Sequence, residues 1–515
     1  MARFAQTTIS ARQTREAMRR AWEPLEASRF GFAQARHLLW RAGFGGTPAQ
    51  ISAIAGLGPE RAVDYLLETP DVRDDSPEAD LFDRNIMRPY SEQEQRIAAQ
   101  ARRTRNEDAL AQLRAMRQQA QVQDRRQMRE IQRWWLRRMI ETPRPLEEKM
   151  TLFWHGHFAT SYRTIEDSYH MFLQNQRFRK HALGNYGQLM REIIRDPAML
   201  AYLDNNDSRA GRPNENLARE LMELFSMGVG TYSERDIKEG ARALTGYTFR
   251  DDEFVFNREN HDGGRKRIFG RTAEFDGDGF VDGILAQRAT GAFMTRKLYA
   301  YFVGDLADDP REDDPVVRSV LDEMRTTFVR SRYEIKPVLR ELFLSEHFYS
   351  EPVRGQRIKS PADLVVGGVR ELRTPVRDLS ALLDAMDLMG QSLFFPPSVA
   401  GWPGGRTWIN TSTMFVRQNT MAFLLTGRRP GGVDALADRQ PYDPGPILGE
   451  LQEALGDGDD QHIVKSVLEY TLGRTPAHAV DSLQEVLSRR GGARDGEAMR
   501  DMLLLVTAMP EYQLC

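Results

Sequence analysis

Apolar residues in this chain recur mostly at intervals of three and four, the spacing of one buried stripe on an α-helix, and seldom in the alternation of a half-buried strand. Residues 31–70, GFAQARHLLWRAGFGGTPAQISAIAGLGPERAVDYLLETP, read as two helices parted by glycines, with Thr47-Pro48 supplying a cap and a proline at the first helical position. The period returns over 146–227, broken at Asp196-Pro197 and at the polar loop 204–212, and again over 287–302 and 337–348. A Gly/Pro/Trp-rich loop, FFPPSVAGWPGGRTWIN at 394–410, precedes more helix, and a helical tail starts near Ile447. The convincing β text is YTFRDDEFVFN, two aromatic-rich runs about Arg250-Asp251-Asp252, which predicts a hairpin near 246–257.

The expected fold is therefore mainly α. It has a polar N-terminal segment at 1–30, a helical headpiece at 31–88, a charged helical arm at 89–143 and a helical core with one hairpin insertion at 144–426. A linker at 427–446 and a C-terminal helical region at 447–515 complete it. Between Pro89 and Pro143 there is neither glycine nor proline, so the arm reads as one long helix, on the order of 80 Å at about 1.5 Å per residue. Leu113, Met116, Ala120, Met128, Ile131 and Trp135 give it only a thin apolar seam, which suits a projecting arm or a hairpin and offers a route to oligomers. Its many arginines alternate with Glu94, Glu107, Asp108, Asp124 and Glu130, the pattern of an ion-paired, solvated face rather than of a nucleic-acid groove.

The densest polar text lies at 213–228, PNENLARELMELFSMG. Pro213 and Asn214 mark a helix start, Gly228 marks a left-handed exit, and Leu217, Leu221, Leu224 and Phe225 form the buried stripe. Asn216, Glu220 and Glu223 follow at intervals of four and three on a neighbouring face. Glu215, Arg219 and Glu223 stand four apart and can neutralise one another. Glu220 has no such partner in the helix, which makes it the candidate for a raised pKa or a distant cation, Arg242 or Lys297.

Other polar groups carry two readings each. In Trp154-His155-Gly156-His157-Phe158, after a helix starting near Pro145, the histidines share a face only if Gly156 permits extended backbone. With Glu220, Glu223 and His261 they would make a His/carboxylate site for a divalent metal or for proton transfer; otherwise one histidine packs in the core and the other lies at the surface. His261-Asp262-Gly263-Gly264 is a catalytic corner or a turn in which Asp262 bonds the local backbone. Trp402 and Trp408 are a sugar-stacking platform or two anchors of an irregular loop. Residues 276–282, DGDGFVD, lack the ligand order of a calcium loop and read as a turn and cap for a helix from about Val281.

Composition narrows the function classes. The 71 basic and 74 acidic residues leave a net charge of -3, with no global attraction to nucleic acid or anionic lipid. The only cysteine is Cys515, so thiolate metal clusters and intrachain disulfides are excluded. The first thirty residues lack an apolar signal core and no run is long enough to span a bilayer, which makes a cytoplasmic location the expectation. No P-loop, GxGxxG, GxSxG or HExxH is present, so no nucleotide cofactor is expected.

Seven segments stand in a fixed order between residues 31 and 425: HLLWRAGFGGTP, WHGHF, AMLAYLDNN, NENLARELMELFSMGVGTYSERDIKEGARALTGYTF, the His261-Asp262 corner, KSPADLVVGG and GQSLFFPPSVAGWPGGRTWIN. Together they resemble the large bacterial proteins grouped as domain-of-unknown-function family eighteen-hundred. The resemblance implies a mostly helical fold and no settled activity. It also implies that export is open, and that a protein of the alkaline-phosphatase or sulfatase kind is a candidate partner, since such proteins are often encoded beside family members. Residues matching its motifs are His157, Asn214, Glu215, Asn216, Arg219, Glu220, Glu223, His261 and Asp262. The family pattern reads ELH where this chain has Glu223-Leu224-Phe225, which weighs against a metal site here.

Two functions follow as expectations. The first is a helical scaffold or assembly protein acting through protein partners. The alternative is a hydrolase, with or without a metal, acting on an envelope polymer or ester: Glu220 as general base, His157 and Glu223 as ligands or orienters, His261 as acid with Asp262, and Asn214, Asn216, Arg219, Trp402 and Trp408 as binding residues. The hydrolase requires His157, Glu220 and His261 to converge on one pocket.

Overall fold

Helix follows helix along the chain, as the periodicity predicts, in a computed structural model that describes residues 11–68, 81–428 and 440–515. In the headpiece, helices Phe32–Ala42 and Pro48–Leu57 meet at the glycines, and Thr47 caps the second by accepting from the Gln50 amide at 3.3 Å. The hairpin pairs Tyr247–Arg250 with Glu253–Phe256 in the expected register about Asp251-Asp252. A second hairpin, Lys266–Ile268 with Arg271–Ala273, escaped the sequence reading because three-residue strands show no alternation. Its turn residues Phe269 and Gly270 both have positive φ, 47° and 78°, the backbone of a type I′ turn.

Of the two forms that its thin seam suits, the arm takes the hairpin, and not the one unbroken helix that its composition predicts. It is two helices, Glu92–Thr104 and Glu107–Glu141, reversed at Arg105, which takes a left-handed φ of 52°. Asn106 then caps the second helix by accepting from the Ala109 amide at 3.1 Å. The two helices pack on each other as a hairpin. Beyond Asp124 the longer one enters the core, burying Met128, Ile131, Trp135, Leu136 and Met139. Its apolar seam is thin only in the first half, so the 35-residue helix, about 53 Å long, is half arm and half core beam. The helix expected from Val281 begins earlier, at Gly277, because Asp276 caps it through the Gly279 amide at 2.9 Å.

One hydrophobic cluster runs from Leu38 in the headpiece through Trp135, Trp154, Leu221, Leu298 and Leu364 to Tyr512. The C-terminal helix Asp460–Leu472 joins the headpiece through Arg36, which donates to the Tyr470 and Thr471 carbonyls, and through the Tyr470 hydroxyl on the Gly46 carbonyl at 3.1 Å. Residues 429–439 of the expected linker lie outside the described residues. Among the described residues no helix is long and apolar enough to cross a membrane.

Two buried ionic clusters fix helix Pro145–His157, which carries the HGH segment. Glu148, fully buried, accepts from Arg138 Nε and Arg179 Nε, each at 2.6 Å, and from Trp135 Nε1 at 2.9 Å. Burial alone would raise its pKa, but the two guanidinium groups hold it low. Lys149 pairs with Asp363, which also accepts from Arg357 at 2.9 Å, so helix Pro361–Leu372 is tied to the same place.

Candidate functional site

Helix Pro145–His157 starts with proline at its first position and runs through Gly156 without the extended break that the sequence reading required. Two positions apart on a helix are about 200° apart, so the histidines point to opposite sides. His155 is sealed among the rings of Trp135, Phe178 and Phe394, with Asn175 Nδ2 3.0 Å from its Nε2. His157 turns the other way, and both are buried, so neither is the surface histidine of the alternative reading.

His157 Nε2 lies 2.8 Å from the carbonyl of Phe225. A carbonyl only accepts, so Nε2 carries the proton and Nδ1 is the lone pair of a neutral ring. Burial, with Lys297 adding repulsion, drives the His157 pKa down to about 3, against the smaller pull of the Phe225 carbonyl. The Phe225 carbonyl also accepts from the Tyr186 hydroxyl at 2.5 Å. It can take both because of the local helix. The motif helix is α over Asn216–Met222 and widens to a π turn over Glu223–Met227 before Gly228 exits at a φ of 79°. Phe225 thus sits in the last turn, where a helix leaves carbonyls without intrahelical donors.

Beside His157 a cavity of about 240 Å³ opens between four pieces of chain. Leu152, Phe153, Gly156 and His157 form one wall, and Lys297 and Tyr301 of helix Arg288–Phe302 form the second. Arg357 and Ser360 form the third, and the loop carrying Trp402 and Trp408 closes the fourth. The loop is seated by glycines. Gly401, at a φ of 82°, lies so close to the HGH segment that a Cβ there would stand 1.9 Å from the Gly156 carbonyl oxygen, and Gly156 faces the Trp402 ring. Trp408 is buried, and Trp402 is half-buried with its Nε1 enclosed and without an acceptor among the described residues. Both indoles therefore anchor the loop and also line the cavity.

Lys297 lines this cavity as an exposed residue, yet enough protein surrounds it that desolvation lowers its pKa. Its ammonium lies 5.3 Å from the Phe293 ring and makes no ion pair among the described residues. It does not reach Glu220. Arg242, the other expected partner of Glu220, is taken by Asp262, with Nε to Oδ2 at 2.7 Å and Nη2 to Oδ1 at 3.1 Å.

The remaining motif residues bond close to home. Asn214 accepts from the Asn216 amide at 2.9 Å and donates to the Asp204 carbonyl at 2.8 Å, a local turn that leads into a helix starting at Asn216, with Glu215 and not Asn214 at its N-cap. Arg219 pairs with Glu215 at 3.3 Å and with Glu234 at 3.1 Å. Glu223 accepts from the Tyr232 hydroxyl at 2.6 Å instead of from Arg219. Glu220 is half-buried, and burial followed by the nearby Glu223 raises its pKa. His261 donates from Nδ1 to the Thr245 carbonyl at 2.8 Å and packs on Phe256. Asp262 takes the Gly264 amide at 2.9 Å, and Arg242 holds its carboxyl below the usual range.

The structure thus brings His157, Trp402 and Trp408 to one cavity, whose described lining does not include Glu220, Glu223, His261 or Asp262. Nor does it gather a donor set for a divalent metal: among the described residues no three His, Cys, Asp or Glu side chains form such a group. Sequence reasoning named Lys297 only as a possible pair for Glu220, and missed Arg357, Gln391 and Asp305 as cavity residues. The signal open to it was that Gln391 lies within GQSLFF and that Arg357 stands two residues before KSPADLVVGG; Asp305 carried none.

Comparison with curated proteins and with solved structures finds no match. A family model does match, described as Protein of unknown function (DUF1800), over residues 37–514, which takes in the C-terminal helices as well as the motif-bearing segments. The chain belongs to this family.

Proposed function

We propose that the protein acts by binding, as a helical scaffold whose recognition point is the cavity between helix Pro145–His157 and the Trp402 loop. The observation that supports this reading is a division among the polar groups. Asn214, Arg219, Glu223, His261 and Asp262 are engaged in local bonds, whereas Lys297 lines the cavity without an anionic partner among the described residues. An unpaired cation at a concave, aromatic-walled place is a feature of recognition sites. The test is thermal shift of the wild type and of Trp402→Leu against charged and neutral small molecules. Stabilisation of the wild type that the variant loses is expected, with the unliganded melting of the variant as folding control. If no compound stabilises the wild type, the reading fails.

The convergence of His157, Glu220 and His261 that a hydrolase was expected to need is not met, since of the three only His157 lines the cavity; what still favours the reading is half-buried Glu220 beside Glu223, where burial and the like charge raise its pKa. The hydrolase reading predicts turnover of an ester or glycoside that Glu220→Gln abolishes while melting is unchanged. Absence of turnover across such a panel, or turnover unaffected by Glu220→Gln, removes it.

A further inference from the structure

The polar groups lining the cavity are mostly hydrogen-bond donors. Lys297 offers an ammonium that lies 5.3 Å from the Phe293 ring and makes no ion pair among the described residues. Gln391 accepts from the Ala362 amide through Oε1 at 2.9 Å, and its NH₂ group has no hydrogen-bond acceptor among the described residues. Arg357 spends one terminal nitrogen on Asp363 and on the Cys515 sulfur, and the rest of its guanidinium lies along the wall over Tyr301. His157, neutral, donates away from the cavity to Phe225. Against these donors stands one carboxylate of the lining, exposed Asp305 beside Gly405.

Such an inventory suits a ligand that brings acceptors and negative charge. Lys297 is the cation without an ion pair among the described residues; Arg357, held by the Asp363 carboxylate that it shares with Lys149, acts as a fixed donor. The volume of about 240 Å³ falls just under the roughly 300–1,000 Å³ of pockets that enclose drug-sized ligands, so the occupant is one compact ring with its acid group and not an extended chain. We propose that the cavity binds a small cyclic organic anion, its carboxylate or phosphate on Lys297 with Arg357 and Gln391 flanking, and its ring against Trp402. This inference rests on the binding reading above and names the ligand class for that cavity.

The experiment is calorimetric titration of the full chain with glucuronate, benzoate and glucose 6-phosphate, and with their neutral counterparts glucose and benzamide. At least one anion is expected to bind, and its neutral counterpart at least about tenfold more weakly, the factor that roughly 1.4 kcal/mol supplies. The carboxylates and the phosphate ester are separate arms, and the tighter one identifies the acid group. Lys297→Met is expected to reduce affinity about tenfold or more, Lys297→Arg to keep most of it, and Asp305→Asn to increase it. Equal binding of anion and neutral compound, or an unchanged affinity in a folded Lys297→Met, overturns the anion assignment and leaves the binding reading standing. If none of the five compounds binds, both fail.

Discussion

The Phe225 carbonyl is the point where the motif helix meets the cavity wall, and a double-mutant cycle tests it. Tyr186→Phe removes only a hydroxyl, and His157→Phe removes the ring N–H while keeping an aromatic of similar size among Phe153, Phe158 and Phe225. Each single change leaves the carbonyl one donor, so each should cost about 0.5–1.5 kcal/mol. The double variant leaves a buried acceptor in the last helical turn with neither donor, and an orphaned buried group costs a further ~1–3 kcal/mol. The double change should therefore exceed the sum of the singles by about 1–3 kcal/mol, well above the ~0.5 kcal/mol scatter of independent sites. Urea unfolding measures it, with unchanged m-values required for the comparison. Additivity within that scatter would refute the idea that the two donors share one carbonyl and that the π turn exists to present it.

The remaining predictions concern pH and loop seating. His37, His155, His157 and His347 are buried with pKa values pushed down by desolvation, to about 3 for His157 and about 4 for His347. A lowered folded pKa means that their stability contribution is present above the unfolded value of about 6.5 and is lost as pH falls towards the folded one. Together they should remove on the order of 5 kcal/mol per pH unit below about 6, seen as a steep acid drop in melting temperature; a flat profile from pH 7 to 5 would contradict it. His170 has the opposite sign: although its burial lowers the pKa, Asp252, Asp167 and the Asp251 carbonyl at 2.9 Å raise it overall. Its grip on the first hairpin is thus full below about 6.5 and lost as pH rises through the raised value, so amide exchange over residues 247–256 should quicken there beyond its intrinsic rate. Asp252→Asn should flatten that dependence, and an equal dependence in both proteins would count against it. Gly401→Ala combines left-handed backbone, about 1–2 kcal/mol, with a clash against the Gly156 carbonyl; it should destabilise by more than that strain alone and free Trp402, read as a red-shifted emission. Unchanged melting and emission would mean that the loop is not seated there.

Much of the fold was legible because caps and periods are local. Thr47-Pro48 and Asp251-Asp252 each carry their geometry in a few residues, and the structure places a helix cap and a turn there. The arm was misread for the complementary reason. Arg105 has no sequence mark for a left-handed φ, and composition could not show that Ile131 and Trp135 face the core while Met116 is half exposed. The histidines were misread because Gly156 permits a break but does not impose one, and packing against Trp402 keeps it helical. Lys297 carries no local signature, and the segment that contains Gln391 marks the loop without marking that side chain. Their chemistry comes from being brought within one cavity by segments about a hundred residues apart, which no spacing rule reports.

The polar motif and the cavity are neighbours through main chain rather than through the carboxylates that make the motif conspicuous. In a regular α-helix each residue advances the face by about 100°, so the switch to π geometry at Glu223 re-aims every group after it. That re-aiming puts Glu223 under the Tyr232 hydroxyl and the Phe225 carbonyl between His157 and Tyr186. The Phe225 carbonyl fixes the His157 proton on Nε2, while burial and the charge of Lys297 keep the ring neutral, so no second positive charge stands beside Lys297 on its side of the cavity. The motif helix thus reaches the cavity through one backbone carbonyl, which sets the tautomer of His157, while the side chains of residues 213–228 do not line it.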